Sequence, residues 1–126
     1  MKLNPDCIRD ILLTIESEVD YNKGIIFEPK QSEYELLKKY SVNELFYHLR
    51  QCDESLFFYQ STVYLGGSYS IRDLTPNAHQ FLADIRSDSN WNKVKSISKK
   101  VGSNSIDAIK QIAVSVISDL IKGQFS

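Results

Sequence analysis

The sequence predicts one α+β domain in which short helices surround a β-ribbon and a helical extension follows. Three observations support this fold class: apolar residues recur at helical spacing near both ends, aromatic and β-branched residues dominate the middle, and a double glycine divides that middle stretch. The 126 residues suit one domain, with a predicted core at about residues 4–74 and an extension at about 75–122.

The first helix is predicted from its start signal and from one apolar stripe. Asn4 is a favourable N-cap residue, and Pro5 suits the first helical position because no hydrogen bond is lost there. The residues of the stripe are Ile8, Ile11, Leu12, Ile15 and Val19. The residues expected mostly on the other side of the helix are Asp6, Arg9, Asp10 and Thr14.

A short strand and a helix–turn–helix are predicted next. Residues 25–27 predict the strand, and capping boxes at residues 32–35 and 41–44 predict two helices separated by a tight turn at Tyr40. The buried side of the second helix is predicted to consist of Val42, Leu45, Phe46, Leu49 and Cys52. Its exposed side is predicted to consist of Asn43, Glu44, Tyr47, Arg50 and Gln51, with His48 at the edge.

Residues 56–65 predict a β-strand because they are rich in aromatic and β-branched side chains. The two sides of this strand are predicted to consist of Phe57, Tyr59, Ser61, Val63 and Leu65, and of Phe58, Gln60, Thr62 and Tyr64. Gly66 and Gly67 then predict a two-residue type I′ hairpin turn, in which both central residues have positive φ. Residues 69–74 are the expected returning strand. The middle of the chain is therefore predicted to be a β-ribbon.

Three helices are predicted after the ribbon. The first follows Thr75 and buries Ala78, Phe81, Leu82 and Ile85; the second buries Trp91, Val94 and Ile97. The last helix, from about Ile106 to Ile121, is apolar over more than half of its circumference. It is expected either to pack against the first helix or to form a homodimer with a second copy, and the sequence leaves both alternatives open.

The order helix, strand, helix, turn, helix, ribbon resembles the winged helix-turn-helix superfamily. Residues 46–57 are similar to its recognition helix and first wing strand, with Ser55 at a position where glycine is usual. The resemblance implies that the second capped helix enters the major groove of DNA.

A second resemblance is carried by residues 74–86, L-T-P-N-A-H-Q-F-L-A-D-I-R, followed by Trp91 and by Lys93 and Lys95. This block is similar to a family of short bacterial and prophage-encoded proteins of unknown function that carry L-T-x-x-G-H-x-F-L-x-x-I-R and then W-x-K-x-K. Ala78 replaces the usual glycine. The resemblance implies a winged-helix domain from a phage or a mobile element, and it supplies no catalytic residues.

The first functional hypothesis is binding to double-stranded DNA in transcriptional or phage regulation. The predicted contacts with bases and phosphates are Asn43, Tyr47, Arg50, Gln51 and Arg72. Carboxylates in the same motif oppose this hypothesis because they repel phosphates; they are Glu33, Glu35, Glu44, Asp53 and Glu54. The lysines at 93, 95, 99 and 100 are an alternative phosphate-contacting patch or a solvated helix face.

The second hypothesis is a protein-interaction module that acts on a host or phage protein without binding DNA. Residues 1–63 carry seven Lys and Arg against eleven Asp and Glu, a net charge of −4. The acidic face of residues 33–54 or the aromatic ribbon would contact the partner. Mobility shift of duplex DNA at two salt concentrations discriminates between the two hypotheses.

No enzymatic activity, cofactor, metal or membrane association is predicted. The chain lacks the P-loop, GxSxG, HExxH and dinucleotide-binding motifs. His48 and Cys52 share a helix face and could join Cys7 and His79 in a zinc site, but Cys52 also continues an apolar stripe as a buried residue. Two cysteines make no disulfide framework and the N-terminus lacks an apolar signal region, which together predict a cytoplasmic location.

Overall fold

The computed structural model describes residues 1–125, which form five helices and three strands. In chain order these are α1 (Pro5–Glu18), β1 (Ile25–Phe27), α2 (Val42–Glu54), β2 (Phe58–Val63), β3 (Tyr69–Leu74), α3 (Pro76–Ile85), α4 (Asp88–Val101) and α5 (Ile106–Phe125). This confirms the α+β class with a small antiparallel sheet. The chain divides within α3 into an N-terminal unit, Met1–His79, and a C-terminal unit from Gln80 onward. That the whole chain folds as one domain stays a prediction.

Helix α1 begins as predicted, because Asn4 Oδ1 accepts the N–H of Asp6 at 3.1 Å. Asp10 and Thr14, which were expected mostly on the side away from the apolar stripe, are buried as well. The Thr14 hydroxyl donates to the Asp10 carbonyl at 2.7 Å, and the Asp10 carboxylate accepts the Tyr40 hydroxyl at 2.6 Å. Burial is tolerated because each polar group has a hydrogen-bond partner.

The first helix of the predicted helix–turn–helix is not formed, because described residues 34–40 are a succession of turns. Their backbone bonds include a single helical pair, from the Lys38 N–H to the Tyr34 carbonyl, beside shorter turn bonds such as Tyr40 N–H to Leu37 carbonyl. One such bond does not outweigh the cost of nucleating a helix. The second helix does form, with Ser41 as its N-cap.

The sheet has the strand order β1-β3-β2, with both pairs antiparallel. The predicted two-residue turn is wrong. Among its residues only Gly67 has a positive φ, of 97°, and Leu65, Gly66 and Gly67 form a three-residue loop. The Gly67 N–H and the Ser68 carbonyl both bond to Tyr64 at 2.9 Å. This is a type I turn followed by a bulge, in which the last loop residue alone takes the left-handed conformation.

The buried side of α2 differs from the prediction at three positions. His48 is fully buried, whereas Val42 and Phe46 are only half-buried. Leu45, Leu49 and Cys52 are buried as expected. The buried side of α2 is therefore rotated about the helix axis so that it includes His48. The spacing of the apolar residues could not indicate this rotation.

In the C-terminal unit, α4 and α5 pack against each other. Trp91 and Val94 are buried as predicted, but Ser98 takes the third buried position and Ile97 is partly exposed. Helix α5 buries Ile109, Ala113 and Val116. Its remaining apolar positions are half-buried or exposed. Within residues 1–125, no helix combines the length and apolar character needed to cross a membrane.

Candidate functional site

Four of the five predicted DNA-contacting residues lie on one side of α2, a surface that we call the α2 face. Asn43 and Arg50 are exposed, and Tyr47 and Gln51 are half-buried. Their spacing of four, three and one residues places them on adjacent turns of the same side. The Arg50 guanidinium carbon lies 5.8 Å from the centroid of the Tyr47 ring, a cation–π distance. The structure thus brings these four side chains together.

The fifth predicted residue, Arg72, is placed on β3 and is half-buried. Its guanidinium donates a hydrogen bond to the backbone carbonyl of Tyr21, in the segment between α1 and β1. This cation therefore stabilises a loop of its own chain. Its assignment as a phosphate contact stays a prediction.

Acidic residues surround the α2 face. Glu44 lies in the first turn of α2, and Glu54 is exposed at its end. Two nearby lysines are paired with carboxylates: Lys38 with Glu35 at 2.7 Å and Lys39 with Asp10 at 3.1 Å. Over the N-terminal unit, eight Lys and Arg stand against twelve Asp and Glu, a net charge of −4. This field opposes the counterion release that drives nucleic-acid binding.

His48 is a structural residue rather than an edge residue of the α2 face. Its Nε2 accepts the backbone N–H of Asn4 at 2.8 Å, and its Nδ1 lies 2.7 Å from the Glu44 carbonyl. Since Asn4 N–H can only donate, Nε2 is the acceptor and Nδ1 carries the proton of the neutral ring. Both ring nitrogens are occupied, so His48 has no lone pair left for the zinc site considered from the sequence.

The two cysteines are buried free thiols. Burial raises the pKa of the Cys7 thiol to about 12, with smaller contributions from Glu44 and Asp10, and it raises the pKa of Cys52 well above the ordinary value. Thiols in this state are poor nucleophiles and poor metal ligands. His79, expected beside the core, is exposed instead. Within the described residues, no cluster of three or more His, Cys, Asp and Glu side chains could hold a metal ion.

The β2–β3 ribbon carries an exposed apolar surface, which we call the ribbon surface: Tyr59, Val63, Tyr64 and Leu65. Val63, for example, is 60% exposed. No charged residue occurs in the sequence between Glu54 and Arg72. Apolar residues on an edge strand without a protecting charge are unusual in a protein that works alone.

Asp53 connects α2 to the ribbon and was missed by sequence reasoning. Its carboxylate accepts the Ser61 hydroxyl at 2.8 Å and also accepts the Tyr69 hydroxyl. From the sequence, an acidic residue near the end of a helix is expected to be exposed to solvent. The spacing of Asp53, Ser61 and Tyr69 does not indicate that their side chains form hydrogen bonds. The α2 face and the ribbon surface are consequently held in one fixed arrangement.

The lysines of α4 lie on different sides of the helix, because positions 93 and 100 share one side and positions 95 and 99 share another. A phosphate-contacting patch formed by these lysines stays a prediction. Lys93, Lys99 and Lys100 are exposed, whereas the Lys95 ammonium lies 5.7 Å from the centroid of the Trp91 ring. The C-terminal unit carries seven Lys and Arg against four Asp and Glu, a net charge of +3. These side chains are typical of a solvated helix face.

Comparison with known proteins gives a family match. A family model described as "Hypothetical protein (DUF2513)" matches residues 2–104. An "Uncharacterized protein" of Haemophilus influenzae is 31% identical over 130 residues, covering 96% of this chain and 99% of that relative. No solved structure matches the chain significantly. The prediction of a family without a known function is confirmed, whereas the motif of residues 74–95 and a prophage source stay predictions.

Proposed function

The chain belongs to the DUF2513 family, and we propose that it is a winged-helix-like protein-interaction module rather than an enzyme. The ribbon surface is the proposed contact with a protein partner. The observation that carries the proposal is the exposure of four apolar side chains at one end of the sheet: Tyr59 and Val63 on the edge strand β2, and Tyr64 and Leu65 directly after it.

The composition of the ribbon supports a protein partner. The centres of protein interfaces are enriched in aromatic residues and depleted in charge, and the ribbon has two exposed tyrosines and no charged residue before Arg72. The ribbon is also fixed to α2, because Asp53 bonds to Ser61 in β2 and to Tyr69 in β3. A fixed surface loses little conformational freedom on binding.

Winged-helix topology is supported by the order of elements. A helix with a serine N-cap directly precedes a two-stranded ribbon, and β1 completes the sheet next to β3. The segment that would be the first helix of the motif is reduced to turns. A cytoplasmic location is part of the same proposal.

The test is co-purification of the tagged chain from its native host after chemical cross-linking. Leu65→Lys should reduce recovery of a cross-linked protein at least tenfold, because it places a charge in a desolvated contact. Tyr21→Lys is the matched control, since Tyr21 is also a highly exposed apolar residue and lies outside the ribbon. Equal recovery with both variants would overturn the proposal.

DNA binding is the second candidate function, and the grouping of Asn43, Tyr47, Arg50 and Gln51 on the α2 face favours it. Mobility shift with random duplex DNA at 50 and 200 mM salt provides the test. A DNA-binding protein should lose affinity more than tenfold over this range, and Arg50→Ala or Tyr47→Ala should remove any sequence preference. Absence of binding at the lower salt would exclude this candidate.

A further inference from the structure

We propose that a groove beside β1 binds an extended peptide of a partner protein as an additional strand of the sheet. The groove has a volume of about 360 Å³ and lies between β1, the segment that follows it and the first turn of α2. The proposal rests on the proposed function, since it assumes a protein partner. It names a second contact surface and the chemical class of the segment that occupies it.

The backbone of β1 supplies the first argument. The Tyr64 N–H donates to the Ser68 carbonyl at 2.9 Å, so these residues form the bonded pair that closes the ribbon. Bonded and non-bonded pairs alternate in an antiparallel ladder, which makes Thr62 and Ser70 the next bonded pair. The backbone N–H and carbonyl of Ser70 therefore point toward β2. Its partner on the other side, Ile26, has its N–H and carbonyl directed away from β3, toward the open edge.

Apolar side chains form the floor of the groove. Phe27 and Leu45 are buried, and the Tyr34 ring meets the Phe27 ring edge-on with centroids 5.9 Å apart. Ile26 is half-exposed at the rim. An added strand directs alternate side chains to one face, so an aliphatic residue of the peptide can occupy this floor while its backbone pairs with β1.

The walls of the groove are already in place. The Gln31 side-chain amide donates to the backbone carbonyls of Lys38 and Tyr40, both at 2.8 Å, which fixes the segment after β1 against the following turns. At the other end, the Glu28 carboxylate accepts the Ser68 hydroxyl at 2.7 Å. A preformed groove avoids much of the ordering cost that weakens peptide binding.

Charge indicates which peptide fits. Glu28 and Glu33 line the groove with one cation, Lys30, and the N-terminal unit carries a net charge of −4. A basic peptide is therefore favoured over an acidic one. Because β1 has three residues, a paired segment of about five residues, or roughly 16 Å, is sufficient. The proposed occupant is a short extended segment that combines an aliphatic residue with lysine or arginine.

The test begins with selection of phage-displayed random 12-residue peptides on the immobilised full chain. Enriched peptides are synthesised and titrated into the ¹⁵N-labelled chain. The expected peptides are basic and aliphatic, shift the amide signals of Ile26 and Phe27, and slow hydrogen exchange of the Ile26 amide at least tenfold. Enrichment of no peptide, or of peptides that leave the Ile26 amide unprotected, would overturn the proposal.

Two variants and one peptide modification separate strand addition from other contacts. Ile26→Pro removes the outward N–H and leaves the pairs at Ile25 and Phe27 available, so it should raise the Kd at least tenfold. Glu33→Lys should raise it at least threefold and keeps the test valid if the proline variant does not fold. N-methylation of alternate peptide amides should also abolish binding, because it removes the donors of the added strand. Full affinity in all three cases would contradict the proposal.

Failure of this inference is distinguishable from failure of the proposed function. Peptide binding that is lost with Leu65→Lys and kept with Ile26→Pro would place the peptide on the ribbon surface, so the proposed function would stand and the groove would not. Peptide binding that is kept with Leu65→Lys and lost with Ile26→Pro would support the groove as the binding site. If Leu65→Lys also left cross-linking unchanged, the proposed function of the ribbon surface would be overturned, and the groove would stand as a peptide-binding site.

Discussion

Helices α2 and α4 end in the same way but with different residues. In both, an N–H bonds to a carbonyl five residues earlier: Phe57 to Cys52 at 3.0 Å, and Ser103 to Ser98 at 3.2 Å. The residue that takes the left-handed conformation is Gly102 in α4, with φ of 77°, but Leu56 in α2, with φ of 63°. Glycine adopts this conformation without strain, whereas leucine does not.

The difference indicates that, in the N-terminal unit, hydrogen bonds between distant segments hold the strained backbone conformation at the end of α2. Thr75 donates its hydroxyl to the Leu56 carbonyl at 2.6 Å, and its N–H bonds to the Phe57 carbonyl at 2.9 Å. The strained Leu56 is 72% exposed and directly precedes the ribbon. Strain of this kind persists only where the surroundings over-determine it, and it is concentrated near functional surfaces.

Buried polar side chains show the same contrast. In the N-terminal unit, His48 bonds to Asn4 across 44 positions of the sequence, and Tyr40 bonds to Asp10 across 30 positions. In the C-terminal unit, the buried Ser98 bonds within six positions. The first unit depends on contacts between distant segments, and the second depends on a local helix end.

The largest expected effect comes from breaking the longest of these links. His48→Ala leaves the Asn4 N–H without an acceptor and opens a cavity, so the free energy of unfolding should fall by about 3 kcal/mol. Ser98→Ala should cost about 1 kcal/mol, and His79→Ala, at an exposed site, less than about 0.5 kcal/mol. Urea unfolding followed by circular dichroism measures all three. Equal losses for His48→Ala and Ser98→Ala would contradict the contrast between the units.

Alkaline pH should weaken the N-terminal unit selectively. Cys7 has an ordinary pKa of 9.0 and a folded pKa of about 12, so above pH 9 the unfolded chain loses a proton that the folded chain retains. Stability is therefore lost as pH rises, by about 1 kcal/mol between pH 9 and pH 10. Burial raises the pKa of Tyr40 and Tyr69 too, and both add to the loss at higher pH. Urea midpoints between pH 8 and pH 11 measure the slope, which Cys7→Ala should flatten.

Exchanging the two helix-end residues sharpens the comparison directly. Leu56→Gly should raise the free energy of unfolding by about 0.7 kcal/mol, because the relief of backbone strain exceeds the added entropy of the unfolded chain. Gly102→Ala should lower it by a similar amount, since a Cβ there meets no neighbour but the positive φ remains strained. Thermal and urea unfolding check both signs. A loss of stability in Leu56→Gly would show that Leu56 makes a packing contact that outweighs its strain.

The smallest effect is expected on the outer side of α5. Ile121 is 52% exposed, so Ile121→Glu should change the free energy of unfolding by less than about 0.5 kcal/mol. Ala113→Glu is the buried counterpart on the same helix and should unfold the C-terminal unit. Light scattering tests whether the chain forms a homodimer. A homodimer is supported if the unmodified protein has twice the mass of one chain and Ile121→Glu has the mass of one chain. A single-chain mass for the unmodified protein excludes it.

Much of the fold could be predicted from local signals. Asn4 and Ser41 are N-caps, residues 25–27 and 69–74 are strands, and Gly102 ends a helix, as their chemistry requires. The capping box at residues 32–35 was misleading, because the Ser32 hydroxyl accepts the N–H of Tyr34, only two residues on, and turns with a single helical hydrogen bond follow instead of a helix. The four residues of the α2 face were placed correctly relative to one another, since helical spacing alone determines which residues share a side.

The sequence by itself determined the order of elements, the spacing of side chains on each helix and the uncharged composition of the ribbon, because these follow from local geometry and from residue type. Only the tertiary structure decided that His48 and Asp10 are buried, that Arg72 is held by a backbone carbonyl, and that β1 leaves an open edge beside a groove. Those features arise from contacts between segments far apart in the chain. The physical reason is that burial and hydrogen-bond partnership belong to pairs of segments, whereas a sequence pattern reports one segment at a time.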